Sequence, residues 1–110
     1  MNWKRLTGTE QLNQLEEESR VKRVLIFKHS TRCSISDAAL GRLQRHWKEE
    51  NEEQITCYYL DLLKFRELSN HVAEKYGVPH QSPQALLIRD GKCVFSQTHF
   101  DIDLKQLLNA

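Results

Sequence analysis

Proline occurs only twice and glycine only four times among the 110 residues. There is no Pro/Gly-rich linker, no internal repeat and no low-complexity run, so nothing marks an internal boundary, and one domain spanning residues 1–110 is expected. Long apolar runs are also lacking. The longest are far too short to cross a bilayer, so no membrane is expected as a partner. Charge of one sign is not in excess either. The formal net charge of +1 gives no electrostatic reason to expect nucleic acid or an anionic membrane. Cysteine is sparse and odd in number, at three, whereas secreted disulfide scaffolds are denser and usually even. Met1-Asn2-Trp3-Lys4-Arg5 is not followed by the apolar stretch of a secretory signal. Both observations point to a reducing cytoplasm. Cys33, Cys57 and Cys93 are scattered and the histidines stand alone, so no metal site is expected. The chain is long enough to bury a core without metal or disulfide staples.

What the chain does have is a thiol in a telling place. Val24-Leu25-Ile26-Phe27 reads as a strand, and a helical pattern begins at about Ser34. Between them lies His29-Ser30-Thr31-Arg32-Cys33-Ser34-Ile35-Ser36. Cys33 therefore stands at a strand-to-helix junction, where a helix N-terminus can stabilise a thiolate. The motif is C-x-x-S. A two-cysteine redox motif would carry its second thiol at Ser36, where this chain has a hydroxyl. One-thiol exchange chemistry is the reading, and a second molecule must regenerate Cys33.

The remaining elements follow from periodicity and punctuation. Thr7-Gly8-Thr9-Glu10 has capping-box spacing before Leu12 and Leu15, which predicts a first helix ending near Ser19. Lys22 to Lys28 is a strand whose centre is apolar at successive positions, as in a strand covered on both faces. Ile35, Ala39, Leu43 and Trp47 define one face of a helix over about Ser34 to Glu50. Ile55 to Leu60 is a second strand. Phe65, Leu68, Val72 and Tyr76 give a further helix, with Gly77 at its C-terminal cap and Pro79 just beyond. Gln84 to Ile88 and Lys92 to Thr98 form a hairpin about Asp90-Gly91, and Asp101 or Asp103 caps a last helix carrying Leu104, Leu107 and Leu108.

The predicted order is α-β-α-β-α-β-β-α. A parallel crossover followed by an antiparallel hairpin implies a four-stranded mixed sheet with helices on both faces, an α/β thioredoxin-like arrangement. Cys33 then follows the first strand and Pro83 just precedes the third.

With those elements in place the chain resembles the YtxJ-type bacilliredoxins, the monothiol members of the bacilliredoxin group. The matching residues are Phe27-Lys28-His29-Ser30-Thr31, Cys33 with Ile35-Ser36, His80-Gln81-Ser82-Pro83-Gln84-Ala85, Asp90-Gly91, and His99 with Asp101-Ile102. They span nearly the whole chain. Arg32 and Ser34 stand where the family usually has Thr and Pro. Loss of the Pro loosens the first helical turn, and Arg32 adds a positive charge beside the sulfur. The resemblance implies removal of bacillithiol, a small cysteine-containing thiol, from mixed disulfides on cytosolic proteins. Bacillithiol would be a co-substrate, no cofactor would be bound, and free bacillithiol or a reductase partner would clear the adduct.

Cys33 is thus the candidate nucleophile. Arg32 is a candidate tuner of the thiolate, or a binder of carboxylates on a small thiol or a modified protein. Ser36, three residues on, either donates a hydrogen bond to the thiolate or makes a local backbone bond. The Ser82–Pro83 bond is expected to be cis, with the backbone of Ser82 open to pair with the extended chain of a substrate. His29 packs or hydrogen-bonds beneath the site, with general-base work as an alternative. His99 and Asp101 serve the cap of the last helix. Cys57 shares strand parity with Ile55 and Tyr59 and belongs to the core, and Cys93 lies on a remote edge strand. Two rival readings remain. One is a monothiol glutaredoxin-like protein using another small thiol or holding an iron–sulfur cluster through the single Cys. The other is a thioredoxin-fold binding module with an inert Cys33.

Overall fold

The central strand decides the layering. In β2 (Arg23–His29) every side chain from Val24 to His29 is buried. Side chains alternate across a strand, so the two sets face opposite layers. Val24 and Ile26 pack with Leu12 and Leu15 of α1 (Gln11–Glu18) and with Leu68 and Val72 of α3 (Arg66–Tyr76). Leu25 and Phe27 pack with Ala39 and Leu43 of α2 (Ser34–His46) and with Leu104 and Leu107 of α4 (Leu104–Asn109). The computed structural model describes all of residues 1–110. No helix in it is long and apolar enough to cross a membrane.

The sheet has five strands, not the four expected. Its order is β1-β3-β2-β4-β5, with β1 at Lys4–Arg5, β3 at Ile55–Asp61, β4 at Gln84–Arg89 and β5 at Lys92–Thr98. The element order therefore opens on a strand. β1 runs parallel to β3, pairing Lys4 with Tyr58 and Arg5 with Tyr59. Both β1 side chains are exposed, so neither gives an apolar signal. The residues around them hold the strand in place. Leu6 is buried and its N–H donates to the Tyr59 carbonyl at 2.9 Å. The Trp3 ring lies 6.0 Å from that of Phe27. The expected parallel pairing of β2 with β3 and antiparallel hairpin of β4 with β5 are present, and β2 pairs antiparallel with β4. At the hairpin tip Asp90 and Gly91 have φ of 52° and 75°, the left-handed pair that a two-residue turn of this hand requires.

Two further expectations change. The Thr7–Glu10 capping box does not form. Glu10 is itself the N-cap residue of α1 and makes no side-chain cap bond. The Gln11 side chain turns back instead, its Oε1 accepting from Thr7 N at 2.6 Å and Gly8 N at 3.1 Å. The helix expected to reach Glu50 ends at Trp47, where ψ is 133°. Glu49–Glu53 form a separate 3-10 turn, opened by Lys48 N donating to Asn51 Oδ1 at 2.8 Å. Electrostatics favours the break. Glu49 and Glu50 at the end of α2 would face the negative pole of its dipole, whereas with Glu52 they stand in the first turn of the new segment and face a positive one.

Phe27 lies at the centre of this arrangement, fully buried and stacked on His29 with ring centroids 6.0 Å apart. Phe27→Ala is expected to destabilise the fold by about 3–5 kcal/mol, the usual cost of an emptied aromatic site. That lowers Tm by at least roughly 12 °C for a chain of this length, as thermal unfolding by circular dichroism would show.

Candidate functional site

The C-terminal end of β2 runs directly into the turn that carries the thiol. Cys33 N donates to Ser30 O at 3.1 Å, closing that turn. Asp37 N donates to Cys33 O at 3.0 Å, starting α2. Cys33 is thereby the N-cap residue, in extended conformation, half-buried and unbridged. Its side chain occupies the place of a capping acceptor, yet it makes no cap hydrogen bond. The first-turn N–H groups of α2 lack helical acceptors.

Beneath the thiol lies a buried hydrogen-bond chain. Ser36 is fully buried. Its Oγ accepts from Ser30 N at 3.1 Å and lies 2.7 Å from His29 Nδ1. His29 Nε2 is 3.3 Å from Asp37 Oδ1. Burial holds the His29 imidazole below its usual range, opposed by the carboxylates of Asp37 and Asp61. In the neutral ring Nε2–H donates to Asp37 and Nδ1 accepts from the Ser36 hydroxyl. The Ser36 proton then points at His29, and no hydrogen bond joins Ser36 to the Cys33 sulfur. Of the two roles read from the sequence, Ser36 makes the local backbone bond. His29 lies beneath the site and ties the first turn of α2 to the end of β2.

The second edge of the site comes from β4. Lys28 pairs with Gln84 in the antiparallel register, so Pro83 comes level with the end of β2. The Ser82–Pro83 bond is cis. Neither the N–H nor the C=O of Ser82 makes a hydrogen bond within the chain. Pro83 O accepts from His99 N at 3.1 Å. His99 has φ 52° and opens a 3-10 turn, His99–Asp101, that lifts Phe100 out to 72% exposure. Arg42 of α2 donates to the carbonyls of His99 and Ile102 at 3.3 and 3.4 Å, fixing this turn from the other side. His99 thus serves the cis-proline segment, and the cap of α4 is Asp103, whose Oδ2 accepts from Gln106 N. Phe100 carries no distinguishing mark in the sequence. A lone aromatic between two helix-capping candidates gives no periodic signal.

Arg32 is exposed and takes part in none of the chain's ion pairs. No three His, Cys, Asp or Glu side chains are gathered as a metal-ligand set. Cys57 is buried in the core beside Ile55, as its strand parity predicted. Cys93 lies half-buried on the edge strand β5. Burial pushes the Cys57 thiol up to about 12 and raises that of Cys93 as well.

A solitary half-exposed thiol at a helix N-terminus, set beside a cis-proline on a sheet of this order, defines a thioredoxin-fold protein with one redox thiol. Solved structures agree. A candidate oxidoreductase with a thioredoxin fold superposes with a TM-score of 0.83 at 33% identity, over 97% of this chain and 91% of that one. Thioredoxins share the fold at lower identity. That of Trypanosoma brucei brucei gives a TM-score of 0.78 at 14% identity, over 98% of this chain and 88% of its own. That of Fasciola hepatica gives 0.74 at 19%, over 96% of both. The chain belongs to the monothiol bacilliredoxin BrxC family, which matches residues 4–107.

Proposed function

We propose that this protein removes bacillithiol from mixed disulfides on cytosolic proteins. A modified protein lays its extended chain along the free backbone of Ser82. The Cys33 thiolate attacks the bacillithiol sulfur. A new Cys33–bacillithiol disulfide forms as the old disulfide breaks, and the client leaves as a thiolate that takes a proton from water. A second bacillithiol thiolate then attacks the adduct, releasing oxidised bacillithiol and restoring Cys33; a reductase supplying two electrons would instead restore Cys33 and release bacillithiol in its reduced form. Disulfides are conserved in each exchange step, so no bound cofactor is needed.

The observation that carries this reading is the pairing of Cys33, half-exposed at the N-cap of α2, with a buried Ser36 hydroxyl where a resolving thiol would stand. Without that second thiol, attack at the small-molecule sulfur is the route that frees the client. Arg32, exposed beside the sulfur, supplies a cation for carboxylates of the small thiol or the client.

The test is intact-mass spectrometry of the reduced protein mixed with a bacillithiol-modified cysteine protein, beside Cys33→Ala and a glutathione-modified client. One bacillithiol moving onto Cys33 as the client is freed is the expected result. Transfer of glutathione alone would keep the nucleophile and change the co-substrate. Transfer of neither would leave a binding module with an inert thiol.

A further inference from the structure

The exchange step makes no use of a cation sealed inside the protein. Lys28 has 0% exposure. It lies on the side of β2 shared by Val24 and Ile26, which faces α3, whereas its neighbour His29 faces α2. Its Nζ donates to Ser69 O of α3 at 3.0 Å and lies 3.5 Å from His80 Nδ1. Ser69 Oγ is 3.3 Å from the same nitrogen. No carboxylate pairs with Lys28. The titratable group facing it is His80, from the segment between α3 and β4, and Arg66 at the start of α3 acts on His80 in the same sense as Lys28 does. β3 presents Leu60 beside it and β4 presents Gln84.

An ammonium without a counter-charge is costly to bury. Packing alone would favour an apolar side chain here, as at Val24 and Ile26 on the same face. The bonds around Lys28 suggest why it stands there. Gln84 Nε2 donates to Pro79 O at 3.0 Å, and its Oε1 is buried with no partner. Residues 79–83 are therefore held at Pro79 by Gln84, at His80 by Lys28 and Ser69, and at Pro83 by His99. The backbone groups of His80, Gln81 and Ser82 between these anchors make no hydrogen bond within the chain, and Ser82 is the one that adjoins the cis-proline.

We infer that Lys28 is a positioning residue for the exchange reaction: from inside the sheet it holds the Pro79–Pro83 segment so that the Ser82 backbone is set to receive the chain of an incoming mixed disulfide. This rests on the docking mode proposed above. Lys28 acts on where the client lies, and Cys33 reacts independently of it. Burial lowers the Lys28 ammonium to about 8, below its value in the unfolded chain. The unfolded state then binds more protons as pH rises from about 8 to 10.5, so stability gains over that window, and the penalty of the buried charge is full below it.

The test compares wild type with Lys28→Met and Lys28→Gln. Lys28→Met keeps the length of the side chain and removes the charge. Its Tm at pH 7 should match or exceed that of wild type, and any gain should shrink as pH rises above 8. Steady-state transfer from a bacillithiol-modified protein should show KM raised about tenfold and kcat within about twofold, the scale of one lost docking anchor. Alkylation of Cys33 by iodoacetamide should be unchanged. Amide order parameters of Gln81 and Ser82 should drop from about 0.85 to below about 0.6, while those of Ile35 to Asp37 stay fixed. Lys28→Gln, which retains an N–H donor, should restore most of the KM and carries the comparison if the Met variant does not fold. An unchanged KM, unchanged mobility at Ser82, or alkylation that slows in step with transfer would each overturn the assignment. If wild type itself transfers nothing, the exchange reading has failed, and the order parameters alone decide whether Lys28 holds the segment.

Discussion

Cys33→Ser is expected to reduce bacillithiol transfer by at least about 10⁴-fold, the scale on which loss of a nucleophile acts, while leaving the protein slightly more stable. The first effect is chemical. The attacking species in disulfide exchange is the thiolate. A serine hydroxyl does not ionise near neutrality, and its oxygen cannot form the disulfide that stores the removed thiol. The second effect comes from the place of Cys33 in the fold. It is the N-cap of α2 and makes no side-chain cap bond. Serine is among the strongest N-cap residues, accepting from the second or third N–H of the helix, for a gain of about 0.5–1 kcal/mol. Transfer assayed by intact mass, together with thermal unfolding of the same sample, checks both. Loss of activity through unfolding would show a lower Tm; this reading requires an equal or higher one.

Ser36→Cys should change the kind of product rather than the rate of attack. In the wild type the captured thiol remains on Cys33 until another molecule removes it. A thiol at position 36 can attack that adduct, giving an internal disulfide and releasing bacillithiol. The mass spectrum after transfer would then show a chain two hydrogens lighter than the reduced form in place of the adduct. The substitution also weakens the chain beneath the site. The Ser36 hydroxyl, 2.7 Å from His29 Nδ1, accepts from Ser30 N at 3.1 Å, and a thiol is a poor substitute in both bonds. A loss of about 1–3 kcal/mol is expected from the under-satisfied buried groups. An adduct that persists in Ser36→Cys would show that position 36 cannot reach the sulfur of Cys33.

Where the sequence pattern is strong, the fold follows it. The continuous apolar run of β2, the four-residue spacing of Ile35, Ala39, Leu43 and Trp47, and the Asp90-Gly91 turn all reflect local rules that tertiary contacts reinforce. Cys33 and Pro83 were legible for the same reason, because a strand-to-helix junction and a strand start are both marked by composition. The failures are equally physical. Lys4 and Arg5 pair as a strand because the partly buried Trp3 and the buried Leu6 anchor them on either side, and a two-residue exposed pairing carries no periodicity. Thr7 to Glu10 has the spacing of a capping box, but the Gln11 side chain takes the Thr7 amide that Glu10 would have bonded. Spacing put Ser36 one turn from the thiol; only the buried position of His29 shows where its proton goes. Nothing in the sequence marks Lys28 as an interior cation. A lysine at a strand end is usually solvated, and this one is covered because α3 and the segment before β4 close over it.

The interior placement of Cys57 and the half-covered edge position of Cys93, both with raised thiols, turn the three cysteines into a gauge of foldedness. In the native protein a brief pulse of alkylating reagent at neutral pH is expected to mark Cys33 first and to spare the buried Cys57. Once the sheet opens, the same pulse marks three. The label count read by mass therefore separates molecules whose Cys33 has been capped from molecules that have come apart, and a preparation can report both its redox history and its integrity in a single spectrum.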